Sequence, residues 1–124
     1  MKFQGLRVAA YAHSSTNAPH RLTEGLRQLA HIRRYCATNK MTIVCSAIEG
    51  AKSAVGAGDD QRDFEELLDR ACSAGRPFDA IVVASASLVA RRVGEFELHM
   101  DRLGAAGVML ITVEESVNHA RGEA

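Results

Sequence analysis

The chain has 124 residues, of which 47% are hydrophobic, and this size and composition fit one globular domain. Fifteen basic residues balance fifteen acidic ones, so the formal net charge is zero and no whole-molecule field favours nucleic acid or an anionic membrane. No apolar run approaches the ~18 residues of a membrane span, and the amino terminus lacks a secretory signal pattern. We therefore expect a cytoplasmic protein with no membrane partner.

The first predicted strand covers residues 6–12 and is followed by a loop at 13–21, which contains Pro19. A helix comes next, with Thr23 as a candidate cap. Its spacing predicts an apolar face that packs on the core and consists of Leu22, Leu26, Leu29, Ile32 and Cys36.

Residues 41–48 form a second predicted strand, and a loop rich in Gly, Ala and Ser follows it. Asp59 or Asp60 is a candidate cap for the next helix, and Gly75 with Pro77 is expected to end it. The predicted inner face of this helix consists of Phe64, Leu67, Leu68, Ala71 and Cys72.

The last third of the chain repeats the alternation. Residues 78–84 form a third predicted strand and residues 85–90 a turn. The helix that follows ends at Gly104 or Gly107, and its apolar face consists of Val93, Phe96, Met100 and Leu103. Residues 108–113 form the fourth predicted strand.

This order of strands and helices, with near-continuous apolar strands, predicts an α/β fold. We expect a mostly parallel sheet of at least four strands with helices on both faces. Residues 1–118 are assigned to this domain, and residues 119–124 are assigned to a polar tail that begins a longer segment.

The cysteines give no metal-binding pattern. Cys36, Cys45 and Cys72 contain no Cys-x-x-Cys pair and no histidine at ligand spacing. They fall on predicted helix faces or in a strand, where cysteine behaves as a small apolar residue. We expect all three in the core, and we expect no metal and no cofactor.

The sequence also lacks the common catalytic fingerprints. There is no phosphate-binding glycine motif, no acidic cluster after the first strand and no G-x-S-x-G elbow. What remains is Ser14-Ser15-Thr16 beside His13, directly after the first strand. In open α/β folds, loops at the carboxyl ends of parallel strands form the usual site.

The segment Tyr11-Ala12-His13-Ser14-Ser15-Thr16 resembles the catalytic domain of serine site-specific recombinases, the family of resolvases, invertases and large serine integrases. Its first strand typically runs into Tyr-Ala-Arg-x-Ser-Thr. The likeness covers roughly residues 6–116, and further similar segments lie at 28–44, 49–53, 64–71, 80–90 and 106–108. The resemblance therefore implies a resolvase-like catalytic-domain fold.

The resemblance implies that Ser15 occupies the nucleophile position, where a hydroxyl attacks a DNA phosphodiester without metal or nucleotide cofactor. It also implies homo-oligomers, or hetero-oligomers with recombinase subunits, and DNA contact mainly through regions outside this chain. A serine hydroxyl is a weak nucleophile, and the charge on the phosphate must be offset by fixed cations. The family supplies them as arginines.

This sequence departs from the family at those arginines. His13 stands where the first arginine is expected, and imidazole, with an ordinary pKa of ~6.5, cannot form a bidentate fork to phosphate. Gln61 aligns with the arginine that opens the second helix, although Arg62 is adjacent.

The Asp-Arg-Leu-Ser-Arg turn of the family aligns with residues 86–90, which contain neither arginine nor acid. Arg91 and Arg92 follow, but each step along a helix rotates a side chain by ~100°, so a shift in register does not simply restore the cation. Loss of one preorganised donor commonly costs ~3–4 kcal/mol of transition-state stabilisation.

The sequence therefore predicts a recombinase domain with weak or no activity, with Ser15, His13, Arg62 and Arg91 as the candidate catalytic residues. Three alternatives to this prediction stay open. The first is a non-catalytic partner or regulatory module, and the second is a small-ligand-binding domain. In the third, Ser15 and Thr16 have no catalytic role and only order the loop.

Overall fold

The computed structural model describes residues 3–13, 18–49, 62–85 and 96–114. Within these ranges the chain alternates strand and helix: β1 (Arg7–Ala12), α1 (Ala18–Thr38), β2 (Thr42–Ile48), α2 (Arg62–Ala71), β3 (Ala80–Val83), α3 (Phe96–Ala106) and β4 (Met109–Thr112). All described strand pairs are parallel, and the strand order is β2-β1-β3-β4. The predicted α/β fold with a parallel sheet is confirmed.

The sheet separates two apolar clusters, because successive side chains of a strand point to opposite faces. Val8, Ala10 and Ala12 of β1 pack with α1 on one face. Ala9 and Tyr11 pack with α2 and α3 on the other face. Helices therefore cover both faces, as the near-continuous apolar strands predict.

The first helix begins earlier than the sequence pattern indicates. α1 starts at Ala18, so part of the predicted 13–21 loop is helical and Thr23 lies inside the helix rather than at its cap. Pro19 occupies the first turn, where its missing N–H costs nothing because the first amides of a helix have no intrahelical acceptor.

The predicted core face of α1 is confirmed at Leu29, Ile32 and Cys36, which are buried, but it is wrong over residues 22–28. Leu22 and Leu26 are 53% and 50% exposed. The buried positions there are Gly25 and Gln28, and a Cβ atom at Gly25 would lie 2.4 Å from Cγ2 of Ile48. The helix thus approaches β2 so closely that glycine, rather than a leucine, faces the sheet.

Cys72 does not belong to the core as predicted. α2 ends at Ala71, so Cys72 lies beyond the buried face and is exposed, with its Sγ 3.9 Å from the carbonyl oxygen of Arg102. Cys36 is buried and Cys45 is partly buried. α3 passes through Gly104 and ends before Gly107, whose φ of +76° favours glycine.

Several sequence predictions lie outside the described residues, namely the Asp59 or Asp60 cap, the position of Val93 and the 119–124 tail. None of the helices in the described part of the chain is long and apolar enough to cross a membrane.

Candidate active site at the carboxyl edge of the sheet

The strand order creates a crevice where binding sites commonly form. From β1 the chain passes to β2 on one side, whereas β3 and β4 lie on the other side. Ligands of open α/β sheets bind outside the carboxyl ends of the strands at such a reversal. His13 follows β1 at this edge, and Glu49 follows β2.

The backbone of His13 is held by the side chain of Gln28 from α1. The His13 amide donates to Oε1 of Gln28 at 3.1 Å, and Nε2 of Gln28 donates to the His13 carbonyl at 2.9 Å. Gln28 is buried, and the oxygen and the nitrogen of its side-chain amide each have a backbone partner, as buried polar groups normally do. One glutamine thus fixes the exit of β1 just before the Ser14-Ser15 pair.

The carboxylate of Glu49 joins three elements at the same edge. Its Oε1 accepts hydrogen bonds from the Tyr11 hydroxyl at 2.7 Å and from the Phe64 amide at 3.0 Å. Its Oε2 accepts from the Asp63 amide at 3.0 Å. Glu49 therefore caps the amino terminus of α2, where unpaired amides and the helix dipole favour an anion.

Glu49 is only 2% exposed, and this burial dominates its ionisation. Desolvation raises the pKa of Glu49 above its ordinary value, while the hydrogen bonds from the Asp63 amide, the Tyr11 hydroxyl and the Phe64 amide oppose the rise. The cap is therefore more easily protonated than an exposed glutamate.

Aromatic rings form a row beneath this cap. The ring of Tyr11 lies 5.0 Å from Phe64 and 6.2 Å from His13, both edge-on, and Phe64 lies 5.7 Å from His99. Both ring nitrogens of His99 are buried without a hydrogen-bond partner. His99, which is 5% exposed, therefore contributes to this site through the packing of its ring on Phe64.

Of the four predicted site residues, the structure describes two, His13 and Arg62. His13 lies at the carboxyl edge but is 1% exposed, with its ring against Tyr11. Arg62 is exposed at the first position of α2, next to the Asp63 amide that Glu49 binds. Ser15 and Arg91 lie outside the described residues, so their assignment stays a prediction.

Two other arginines serve the opposite edge of the sheet. The Arg7 amide donates to Asp79 Oδ2 at 2.9 Å, and the guanidinium groups of Arg7 and Arg76 lie 3.2 and 3.3 Å from Asp79 Oδ1. The hydrogen bonds from Arg7 lower the pKa of Asp79. These cations join the starts of β1 and β3 and do not serve the carboxyl edge.

Sequence reasoning did not assign roles to Gln28, Glu49 or His99. Gln28 carried only a weak signal, as a polar residue next to Leu29 of the predicted apolar face. Glu49 carried a clearer one, as an acid directly after an apolar strand. In both cases the partner is distant in sequence, so the signal did not identify the bond.

Metal binding has no support in the part of the chain that the structure describes. No group of three or more His, Cys, Asp or Glu side chains there is arranged to hold a metal ion.

Known proteins resemble this chain in sequence and in fold. A family model described as the resolvase N-terminal domain matches residues 8–124. A resolvase family site-specific recombinase from Streptococcus pneumoniae has a similar structure, with 20% identity, a TM-score of 0.67 and coverage of 89% of this chain and 73% of that one. The C-terminal catalytic domain of ISC1926 TnpA, an IS607-like serine recombinase, matches with 18% identity, a TM-score of 0.58 and coverage of 87% and 67%. No match was found among curated proteins.

Proposed function

This chain belongs to the family of resolvase N-terminal domains, and we propose that it is a serine-recombinase catalytic domain whose strand-cleavage activity is weak or lost. Ser15 occupies the nucleophile position in this proposal. His13, Arg62 and Arg91 are the residues that lie at or next to the expected arginine positions in the sequence. Metal and nucleotide cofactors have no part in it.

The reaction sets the physical demand. The Ser15 hydroxyl oxygen attacks a DNA phosphorus, the bond from phosphorus to the 3′ oxygen breaks, and a 5′-phosphoserine link forms. The serine loses its proton and the departing 3′ oxygen gains one. Negative charge on the phosphate and on the departing oxygen must be met by preorganised cations or hydrogen-bond donors.

The observation that carries the proposed loss of activity is the burial of His13. Its ring is packed on Tyr11, and Gln28 holds its backbone on both sides. A side chain in that position does not reach out to a phosphate as an arginine would. The residue that follows β2 at the same edge is Glu49. Its carboxylate, when ionised, is an anion and does not supply the cation that a phosphate needs.

The test is covalent capture of DNA. The full chain and its Ser15→Ala variant are incubated with a random-sequence duplex library that contains nicks, and DNA that survives a denaturing wash on the protein is sequenced. We expect equal, background-level capture for both proteins, with unchanged folding of the variant. Capture by the parent chain that disappears in Ser15→Ala would show that catalysis survives and would refute the proposal.

We propose further that DNA contact depends mainly on regions outside this chain and that the domain works in the cytoplasm, in homo-oligomers or with other recombinase subunits. The zero formal charge supports weak DNA binding by the domain alone. We expect a salt-sensitive but weak affinity for random duplex DNA, measured by fluorescence anisotropy.

A second candidate is a non-catalytic partner or regulatory module on the same scaffold. The exposed Leu22 and Leu26 favour it, because half-exposed leucines one turn apart suit protein contact better than catalysis. Equal capture by the parent chain and Ser15→Ala, together with self-association that needs no DNA, is the result that supports this candidate.

A further inference from the structure

The charges of this neutral chain are sorted between its two helical layers. α1 carries four arginines and one glutamate, a net charge of +3. On the other face of the sheet, α2 and α3 together carry three arginines and six acidic residues, a net charge of −3. The helices that the structure describes on the two sides of the sheet therefore carry formal charges of opposite sign.

The basic face also carries an exposed apolar line, which we call the α1 stripe. Its members lie on one side of the helix at intervals of four, four, three and four residues, and they are Leu22, Leu26, Ala30, Arg33 and Ala37. This spacing keeps side chains in register along one face. The stripe is thus an exposed line of leucines and alanines with one arginine, and no element in the described part of the chain covers it.

The acidic face carries a matching line, which we call the α3 stripe. Leu98 is 56% exposed, and Asp101 and Ala105 follow at intervals of three and four residues, both exposed. Glu97 lies beside them and is also exposed. An exposed leucine, a small alanine and carboxylates complement the leucines, alanines and arginine of the α1 stripe.

We propose that the α1 stripe of one copy docks on the α3 stripe of a second copy. In this arrangement the +3 of α1 faces the −1 of α3 and the −2 of α2 beside it, and small residues let the two docked helices approach closely. Two α1 stripes facing each other would instead bring +3 against +3. A phosphate backbone would pair with Arg33 but would leave Leu22 and Leu26 without an apolar partner.

The contact is heterologous, because different surfaces of the two copies meet. In a dimer the first copy keeps a free α3 stripe and the second keeps a free α1 stripe, so association continues beyond the dimer unless a ring closes. This proposal does not depend on catalysis by Ser15, and its failure would leave the proposed loss of strand cleavage untouched.

The first measurement is sedimentation velocity of the full chain over a range of concentrations and salt. We expect the average mass to rise with concentration without stopping at the dimer. It should fall as salt shortens the screening length from about 10 Å at 0.1 M to about 3 Å at 1 M. Leu26→Ser and Leu98→Ser should each weaken association by about tenfold or more, because each removes apolar area that the contact buries.

Matched controls separate this contact from general stickiness. Met109→Ser removes another half-exposed apolar side chain, 41% exposed and outside both stripes, and should leave association unchanged. Arg70→Glu makes the acidic face more acidic and should not weaken association. All four variants change exposed positions, so circular dichroism should show unchanged folding.

A mixing experiment tests the heterologous geometry directly. Leu26→Ser keeps an intact α3 stripe, and Leu98→Ser keeps an intact α1 stripe. An equimolar mixture can form one good contact for each pair, so it should give heterodimers that do not grow further.

Several results of these association measurements would overturn the proposal. They are a monomer at every concentration and salt, association that strengthens with salt, unchanged association in both serine variants, or no heterodimer on mixing. Binding of random duplex DNA by a monomeric chain, abolished by Arg33→Glu, would also overturn it and would assign the α1 stripe to nucleic acid.

Discussion

Replacement of Gly25 by alanine tests how closely α1 packs on the sheet. Alanine is the better helix former by ~1 kcal/mol, so helix propensity alone predicts stabilisation. The structure predicts the opposite, because a Cβ atom at Gly25 would lie 2.4 Å from Cγ2 of Ile48 and 3.0 Å from its Cγ1 and Cδ1. Favourable carbon contacts lie at about 3.5–4.0 Å, so the overlap exceeds ~1 Å.

Ile48 cannot easily move away from the new methyl group. It is β-branched, so its χ1 angle is stiff, and the two carbons nearest to the clash leave the same Cβ. Overpacking of this kind costs about 1–3 kcal/mol, which exceeds or cancels the propensity gain. We expect Gly25→Ala to lower the free energy of unfolding by about 1 kcal/mol, with a fall in Tm of roughly 3–5 °C.

Gly104 provides a matched control inside another helix. Nothing lies within 4 Å of a Cβ atom at Gly104, so Gly104→Ala should stabilise the domain by about 0.5–1 kcal/mol. Urea and thermal unfolding followed by circular dichroism measure both variants. In an Ile48→Ala background, Gly25→Ala should lose most of its penalty.

If Gly25→Ala raised the free energy of unfolding as much as Gly104→Ala does, α1 would lie farther from β2 than the close approach of Gly25 to Ile48 implies. Because Gln28 lies one turn after Gly25, the same displacement should loosen the hold of Gln28 on the His13 backbone. Faster hydrogen exchange at the His13 amide in Gly25→Ala would report it.

Three further predictions concern the buried polar groups. Glu49→Ala should lower the free energy of unfolding in urea by about 2–3 kcal/mol, because the two α2 amides lose their acceptor. Tyr11→Phe removes one hydrogen bond and should lower it by about 1 kcal/mol. Equal losses in the two variants would contradict this prediction. Gln28→Ala should cost about 1–3 kcal/mol and speed exchange of the His13 amide, and unchanged exchange would count against the clamp. Hydrogen bonds lower the pKa of Asp79, so its stabilisation is present above the unfolded-state pKa of about 3.9 and disappears as pH falls through the folded-state pKa; the cost of Asp79→Asn should therefore shrink in acid, and a cost independent of pH would refute the linkage.

The ionisation of Glu49 acts in the opposite sense to that of Asp79. Since burial raises its folded-state pKa, ionised Glu49 stabilises the fold less than the protonated form does. The contribution of Glu49 therefore increases as pH falls through the raised pKa, and it levels off below the unfolded value of about 4.3. Acid denaturation of this domain is accordingly expected to begin at other carboxylates, such as Asp79.

The order of the elements and the parallel sheet follow from local sequence patterns. Short apolar strands separated by amphipathic helices leave few arrangements other than a sheet covered on both faces. The inner face of α2 is also predictable, because Phe64, Leu67 and Leu68 share one side of a short helix. The Tyr11–Thr16 motif identified the family in the same way, from adjacent residues.

Tertiary structure alone decided which residues are buried in the first half of α1 and which groups meet at the carboxyl edge. Gly25 is buried because Ile48 lies against it, and Gln28 is buried because the His13 backbone satisfies its amide. Glu49 reaches back to Tyr11, 38 residues earlier in the chain. Local periodicity indicates whether a segment is a helix or a strand. It does not show which residue, distant in the sequence, will pack against that segment in the folded chain. For this reason the periodicity places Leu22 and Leu26 in the core together with Leu29, which is buried, whereas the polar groups that hold the site are visible only in the folded chain.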